Sequence, residues 1–400
     1  MTLRRSDHLR VVVSLIADEL GRARKRAVPP AEYLRWTEAT AMGEDGGETG
    51  DCLNADSLAM LDLVERVNEF YNLHTIGSED YLVVAPTLGG WLDVIEETLR
   101  RGVENVTFRT SGSGGAPKTF DVPWAEMTQE LDALDPMLGP LERVMAWTPP
   151  HHLYGFLFSA LTPARRDIAI RDARALAPSA LGRAKLGDLV VATPFIWRRL
   201  LNASAPPAGV LGLSSGAPCP GEVWNGFADS DARLIEIYGS TETGGVGWRE
   251  AGDAPFALLP HWTRLDGDAD GDRLRHQGRD AAESAPDRLA FDEAGRFRPT
   301  GRRDDIVQVG GVNVSPAQAE EALRAHPLVA DAAVRPDLDD PDRRLKAFIV
   351  PVATPLPEGA VATLEAHLAE RLAAPSRPAR LTFGAEIPRN AMGKLADWAP

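Results

Sequence analysis

The spacing of apolar residues divides the chain into three textures. Over residues 8–25, Leu9, Val12, Val13, Ile16 and Leu20 recur at helical intervals, predicting a helix that ends near Pro29-Pro30. A polar, glycine-rich stretch from Gly43 to Gly50 leads to a second amphipathic helix over Ser57–Asn72, and Thr87 is placed to cap a third running to about Arg100. Strand alternation in this first part is confined to Tyr81–Ala85, so the first hundred residues read as a small helical unit. From Glu104 onward short β-runs alternate with helices. The strands predicted are Asn105–Arg109, Arg143–Trp147, Asp167–Ile170, Asp188–Ala192, Gly209–Leu213 and Leu234–Tyr238, with helices Trp124–Leu134, Tyr154–Leu161 and Phe195–Asn202 among them. That is an α/β pattern, in which ligands gather at the loops beyond strand ends. The acidic, glycine-bearing stretch Asp266–Asp272 reads as an exposed hairpin or loop. After Gly301-Arg302 the pattern turns α+β: Val307–Val309, a helix over Pro316–Ala325, strands near Val329–Val334 and Leu345–Val350, and a helix over Val361–Ala373.

Composition narrows the partners. Four hundred residues, 44% of them apolar, suffice for about two to three cored domains. The 43 basic and 58 acidic residues leave a net charge of −15, which argues against nucleic acid or an anionic membrane as the main partner. Cys52 and Cys219 stand alone, so neither a disulfide framework nor a zinc site is expected. The apolar run Val11–Ile16 is too short for a signal peptide, and no 18-residue apolar window exists. A cytoplasmic, reducing environment is the expectation.

The chemistry concentrates in Thr110-Ser111-Gly112-Ser113-Gly114-Gly115-Ala116-Pro117-Lys118, which follows the strand-like Val106-Thr107-Phe108. Glycines let backbone N–H groups approach an anion, hydroxyls add donors, and a lysine adds a point charge. By itself this is a phosphate-cradling loop or a plain flexible turn, and it lacks the Gly-Lys-Ser/Thr ending of a P-loop. Four further segments follow in order. They are Pro149-Pro150-His151-His152-Leu153-Tyr154-Gly155, then Tyr238-Gly239-Ser240-Thr241-Glu242-Thr243-Gly244-Gly245, then Asp287 with Asp292-Glu293-Ala294-Gly295 leading to Gly301-Arg302-Arg303-Asp304-Asp305, and finally Pro388-Arg389-Asn390-Ala391-Met392-Gly393-Lys394.

Five such segments in this order resemble the adenylate-forming enzymes: acyl- and aryl-CoA ligases, luciferases and the adenylation domains of peptide synthetases. The resemblance covers about residues 104–400. It implies that Thr110, Ser111, Gly112, Ser113, Gly114 and Lys118 handle the ATP β,γ-phosphates, although the family usually carries a hydroxyl residue where Gly114 stands. It further implies that Thr241 contacts the α-phosphate, Glu242 holds Mg²⁺, and His152 gates the carboxylate substrate, with His151 able to share that role. Tyr238 and Gly239, with Ser215-Gly216-Ala217-Pro218, correspond to the segments lining the adenine and acyl pocket, where small residues let flat rings slide against backbone. Asp287 and Arg302 match the ribose contacts, though Ala285-Pro286 replaces the usual Thr-Gly before Asp287. Asp304 matches the hinge about which the last domain rotates, and Lys394 the lysine brought to the carboxylate and α-phosphate.

The implied fold is α/β: a truncated adenylation core over 103–302 and a mobile α+β domain over 303–400. The region ahead of the glycine loop is shorter than in typical members. Within it, Leu53-Asn54-Ala55-Asp56-Ser57-Leu58, Glu69-Phe70 and Thr87-Leu88-Gly89-Gly90-Trp91-Leu92 resemble an acyl carrier protein. A carrier-like domain over 1–102 is therefore expected, with Ser57 the position for phosphopantetheine if the unit works as one; the plain alternative is that Asp56 or Ser57 caps a helix. Phe108-Arg109-Thr110-Ser111-Gly112-Ser113 and Val309-Gly310-Gly311-Val312-Asn313-Val314-Ser315-Pro316 make the chain most similar to the compact 4-coumarate–CoA ligases associated with photoactive yellow protein. The expected reaction uses ATP and Mg²⁺ to activate an aromatic acid as its adenylate and passes it to CoA. The alternatives are transfer to a carrier thiol, including one on Ser57, and a non-catalytic relic, against which intact Lys118, Glu242, Arg302 and Lys394 speak.

Overall fold

The computed structural model describes residues 3–24, 26–43, 52–109, 118–265, 273–285, 287–302, 307–309, 312–337, 340, 344–390 and 392–398, with backbone alone at 284, 301, 302, 307–309, 312 and 313. They form two compact units: one takes the described residues up to Thr263 with Arg275–Ala281, the other Arg264–Leu265, 273–274 and those from Ala282 on.

In the first unit, α1 (Arg5–Ala23) buries Val11, Val12, Leu15, Ile16 and Leu20 along its stripe, and with them Asp7, His8 and Ser14. It lies against α2 (Ser57–Tyr71) and α3 (Leu88–Arg100). Asp56 caps α2 by accepting from Ala59 N at 2.8 Å, and Thr87 caps α3 by accepting from Gly90 N at 3.2 Å. The strand expected at Tyr81–Ala85 is instead a short helix, Asp80–Val84. Only Leu82 of it is buried, and local bonds from Leu82 N to Glu79 O and Ala85 N to Leu82 O close the turn where no strand lies alongside.

Next come β1 (Asn105–Arg109) and β2 (Thr119–Pro123), paired antiparallel with Arg109 opposite Thr119, so the glycine loop connects the two arms of a hairpin. The helix α4 (Trp124–Leu138) runs past Pro136 and buries Met127, Glu130, Leu131, Leu134 and Leu138. A seven-stranded sheet then follows from β3 (Arg143–Ala146), β4 (Ala169–Asp172), β5 (Asp188–Ala192), β6 (Leu211–Ser214), β7 (Arg233–Ser240), β8 (Gly244–Arg249) and β9 (Ala257–Leu258). Its order is β4-β3-β5-β6-β7-β8-β9, parallel up to β7 and antiparallel beyond. Central β5 is buried at every position, which is why it reads as an unbroken apolar run rather than an alternation.

The boundary expected after residue 102 falls inside this unit. Phe70 of α2, Phe108 of β1 and Phe156 meet edge to face at centroid distances of 5.4, 5.7 and 5.5 Å, all three fully buried. From α1 and the residue before it, Arg4 Nη1 donates to Ile168 O and Arg10 Nη2 to Ser159 O. The apolar faces of the leading helices are thus covered by the sheet-bearing part of the chain, not by one another alone.

The second unit opens with a hairpin of β10 (Asp287–Phe291) and β11 (Phe297–Arg302), then β12 (Val307–Val309) paired with β13 (Val312–Val314). The helices α5 (Pro316–Arg324) and α6 (Ala360–Arg371) contribute Ala319, Leu323, Leu364 and Leu368 to a core with Leu345, Ala347 and Ile349. Those last three belong to the middle strand of a sheet in which β14 (Val329–Pro336) and β15 (Leu345–Pro351) are antiparallel and β15 and β16 (Arg380–Phe383) parallel. Ala282–Arg302, expected in the adenylation core, groups with this unit.

Candidate active site

Parallel strands present their C-terminal ends on one edge, and several of the first unit's predicted residues sit there. His151 and His152 follow β3, Ser215, Gly216 and Ala217 follow β6, and Tyr238 and Gly239 lie at the end of β7. Gly216 has φ of +90° and is exposed with Ala217. The segment is tied back by Cys219 N, which donates to Glu236 Oε1 at 2.8 Å, while Arg249 Nε donates to Glu236 Oε2 at 2.7 Å. Burial pushes the Cys219 thiol up to about 12, so it stays protonated at neutral pH.

The two adjacent histidines differ. His152 is half-buried at the mouth of the helical stretch that begins with Leu153–Phe156, and the turn into it requires glycine at 155, where a Cβ would stand 1.9 Å from Pro149 O. His151 is buried, its ring 4.3 Å from that of His152. Ser14 Oγ lies 2.8 Å from His151 Nδ1 and accepts from Arg174 Nη1 at 2.7 Å, with Arg174 held by Asp172. Arginine can only donate, so Ser14 Oγ accepts from it and meets His151 Nδ1 with its remaining hydrogen-bonding capacity. Burial, with the charges of His152, Arg66 and Arg174, holds the His151 ring well below its ordinary pKa and so neutral. A residue of the first helix thus fixes the orientation of a ring beside the predicted gate.

Between β7 and β8 the chain turns through Thr241 and Glu242. The Glu242 carboxylate is exposed and makes no hydrogen bond or ion pair among the described residues. A hard divalent cation bound through one carboxylate and phosphate oxygens would find such a group ready. The turn is tight: a Cβ at Gly239 would stand 2.2 Å from Gly244 O, and Gly244 has φ of +69°.

Behind the turn stands Glu130 of α4. Its Oε2 accepts from Gly245 N at 2.9 Å, and a Cβ at 244 or 245 would press on its carboxylate at 2.9 and 2.5 Å. The carbonyl of the same residue is held as well, since Gly245 O accepts from Trp262 Nε1 at 2.8 Å and from His261 Nε2 at 3.2 Å. Burial, reinforced by Glu126 and opposed by the Gly245 N–H, raises the Glu130 carboxyl from its ordinary 4.5 to about 7. Between those values the folded chain holds a proton that the unfolded chain has released. Stability from this group is therefore present below about pH 4.5 and is lost as pH rises through 7, by on the order of 3 kcal/mol. Glu130→Gln should accordingly gain on wild type in urea unfolding as pH is raised from 5 to 8. A pH-independent difference between the two proteins would contradict the assignment.

The second unit gathers the other predicted residues. Asp287 and Arg302 are direct register partners across the β10–β11 hairpin, whose turn is closed by Asp292 Oδ1 accepting from Ala294 N and Arg296 N. Lys394 is exposed on a turn built by Asn390: its Oδ1 accepts from Met392 N and Lys394 N, both at 3.0 Å, and its backbone N–H donates to Lys394 O. Thr110, Ser111, Gly112, Ser113, Gly114 and Asp304 lie outside the described residues, as does the Arg302 side chain; Lys118 is exposed immediately before β2. The predicted residues thus fall into two groups, one on each unit. The sequence reading did not single out Glu130 or Ser14, although an acid on the apolar stripe of α4 is a signal of the first.

Residues 106–281 match the AMP-binding enzyme family and residues 318–394 the AMP-binding enzyme C-terminal domain. The 4-coumarate–CoA ligase of Halorhodospira halophila is 41% identical over 392 residues, with 97% of each chain covered. That of Rhodobacter capsulatus is 39% identical over 402 residues, covering 97% of this chain and 99% of its own. Among solved structures, ATP-bound MatB from Rhodopseudomonas palustris aligns with a TM-score of 0.55 at 17% identity, over 97% of this chain and 91% of its own, a likeness of fold. With the sheet edge, the β7–β8 turn and the C-terminal lysine turn in place, and relatives matched nearly end to end, this chain belongs to the AMP-binding, adenylate-forming enzymes.

Proposed function

We propose that this enzyme is a 4-coumarate–CoA ligase. The observation that carries the reading is identity of about two residues in five with two such ligases along 97% of the chain, leading helices included. In the first half-reaction a carboxylate oxygen of the acid attacks the ATP α-phosphorus, the bond to the bridging β-oxygen breaks, and pyrophosphate leaves. In the second, the CoA sulfur attacks the acyl carbon and AMP departs with the electron pair, the thiol proton going to solvent. Mg²⁺, where bound, neutralises phosphate charge.

The chain's own residues bind and orient. Thr110, Ser111, Gly112, Ser113, Gly114 and Lys118 cradle the phosphates, Thr241 meets the α-phosphate and Glu242 offers the carboxylate for the cation. Gly216, Ala217, Tyr238 and Gly239 border adenine and acid, with His152 at the mouth. Asp287 accepts from the ribose hydroxyls beside Arg302, Lys394 stabilises negative charge on the oxygens of the five-coordinate α-phosphorus, and Asp304 is the hinge between half-reactions. The place of action is the cytoplasm, where ATP and CoA are supplied. A panel of aromatic and fatty acids, with ATP, Mg²⁺ and CoA, should give the highest kcat/KM for pyrophosphate release and thioester formation with 4-coumarate. Turnover of another acid with none of 4-coumarate would overturn the substrate assignment.

The competing acceptor is a phosphopantetheine on Ser57. That serine is exposed at the first position of α2, which favours it, but α2 is packed onto β1 and α1, and Asp56 already caps the helix. Ser57→Ala should leave CoA thioester synthesis unchanged and cost at most about 1 kcal/mol. Loss of product with free CoA present, in a variant that still exchanges pyrophosphate, would make the leading unit a working carrier.

A further inference from the structure

The turn bearing Thr241 and Glu242 is held by α4 from two directions. Glu130, one helical turn beyond Glu126, fixes the turn's far end by accepting from Gly245 N. Glu126 fixes the near end through an intermediary. Arg279 donates from Nε to Glu126 Oε1 at 3.0 Å and from Nη2 to Glu126 Oε2 at 2.6 Å, and from Nη1 to the backbone carbonyl of Glu242 at 3.1 Å. Its guanidinium also lies 5.9 Å from the centre of the Trp262 ring, the same tryptophan that donates to Gly245 O. Two carboxylates spaced by four residues on one rigid helix therefore set both ends of a four-residue span, Glu242–Gly245. No side chain in this arrangement touches the Glu242 carboxylate, which stays free for a ligand while its backbone is pinned.

We propose that Glu130 and Arg279, the latter bridged to Glu126, are positioning residues for adenylation: they fix where the Thr241 hydroxyl and the Glu242 carboxylate meet the cation-bound triphosphate. The inference rests on the roles given above to Thr241 and Glu242. Arginine suits the bridge because its planar fork engages a carboxylate with two N–H groups while a third reaches the carbonyl. A lysine ammonium keeps the charge but cannot hold that geometry. Glu130 acts as an acceptor for one backbone donor, which glutamine can also do and leucine cannot.

The test compares Glu130→Leu, Glu130→Gln, Arg279→Lys and Glu242→Gln in two assays: ATP–pyrophosphate exchange titrated with Mg–ATP, and thioester formation from supplied 4-coumaroyl-adenylate and CoA. Glu130→Leu and Arg279→Lys are expected to lower exchange roughly ten- to a hundredfold, chiefly through a raised KM for Mg–ATP. Thioester formation from supplied adenylate should stay near wild type, and Glu130→Gln should restore most of the exchange. Loss of both half-reactions in parallel, or wild-type exchange in a folded Arg279→Lys, would overturn the proposal. Arg279 is partly exposed, so that variant is expected to fold even where Glu130→Leu does not. If Glu242→Gln itself leaves exchange intact, the failure lies with the role of Glu242; if it abolishes exchange while Glu130→Leu and Arg279→Lys do not, the positioning inference alone falls.

Discussion

Lys394→Ala is expected to lose pyrophosphate exchange by about a hundred- to a thousandfold, the usual cost of removing one preorganised partner of developing negative charge. The side chain is exposed, and the turn's hydrogen bonds come from Asn390 and the backbone, so they survive the substitution. Gly393 keeps its φ of +73°, and the bond from Arg389 Nη1 to Gly393 O does not involve the lysine side chain. Thioester formation from supplied acyl-adenylate should therefore persist, because the charge acts on phosphorus and not on the acyl carbon. Equal loss in both half-reactions, in a variant with wild-type unfolding, would remove Lys394 from the adenylating role.

Gly155→Ala is expected to be the most damaging single methyl in the first unit. The added carbon would stand 1.9 Å from Pro149 O and 2.8 Å from Pro149 C, both backbone atoms that cannot rotate away. The peptide it pushes against accepts from His152 N, and His152 O accepts from Phe156 N at 2.7 Å, so the strain spreads to both histidines and to the aromatic cluster of Phe70, Phe108 and Phe156. Overpacking of this kind should cost about 3 kcal/mol, the upper end of the usual range. A thermal unfolding midpoint within a degree or two of wild type would show that the turn has room that the structure does not display.

The parallel strands were legible because burial on both faces forces unbroken apolar runs such as Leu189–Ala192. Tyr81–Ala85 misled for the complementary reason: an apolar run carries no record of whether a neighbouring strand exists to pair with it. The leading helices resembled a free-standing carrier because an amphipathic stripe says that something covers it, not what; here Phe108 and Phe156 do. The glycines of the Thr241–Glu242 segment were visible as a motif, but their reason was not. Gly244 and Gly245 are small because a carboxylate from a helix more than a hundred positions earlier presses against them. His151 and His152, equivalent on paper, are told apart by burial and by the contact of His151 to Ser14.

The Asn390 turn bears on how often a cost must be met. An exposed lysine on a loose tail would have to be gathered into place every time the enzyme turns over, with an entropic cost of about 1–2 kcal/mol for each backbone residue fixed. Here one amide oxygen receives two backbone N–H groups and a return bond closes the loop, so that ordering is completed once, when the chain folds. On the role proposed for Lys394, what is left for each cycle is the placing of an already shaped turn. Asn390→Ala would shift that ordering from the folding step back into the catalytic cycle, slowing a reaction in which the asparagine itself takes no part.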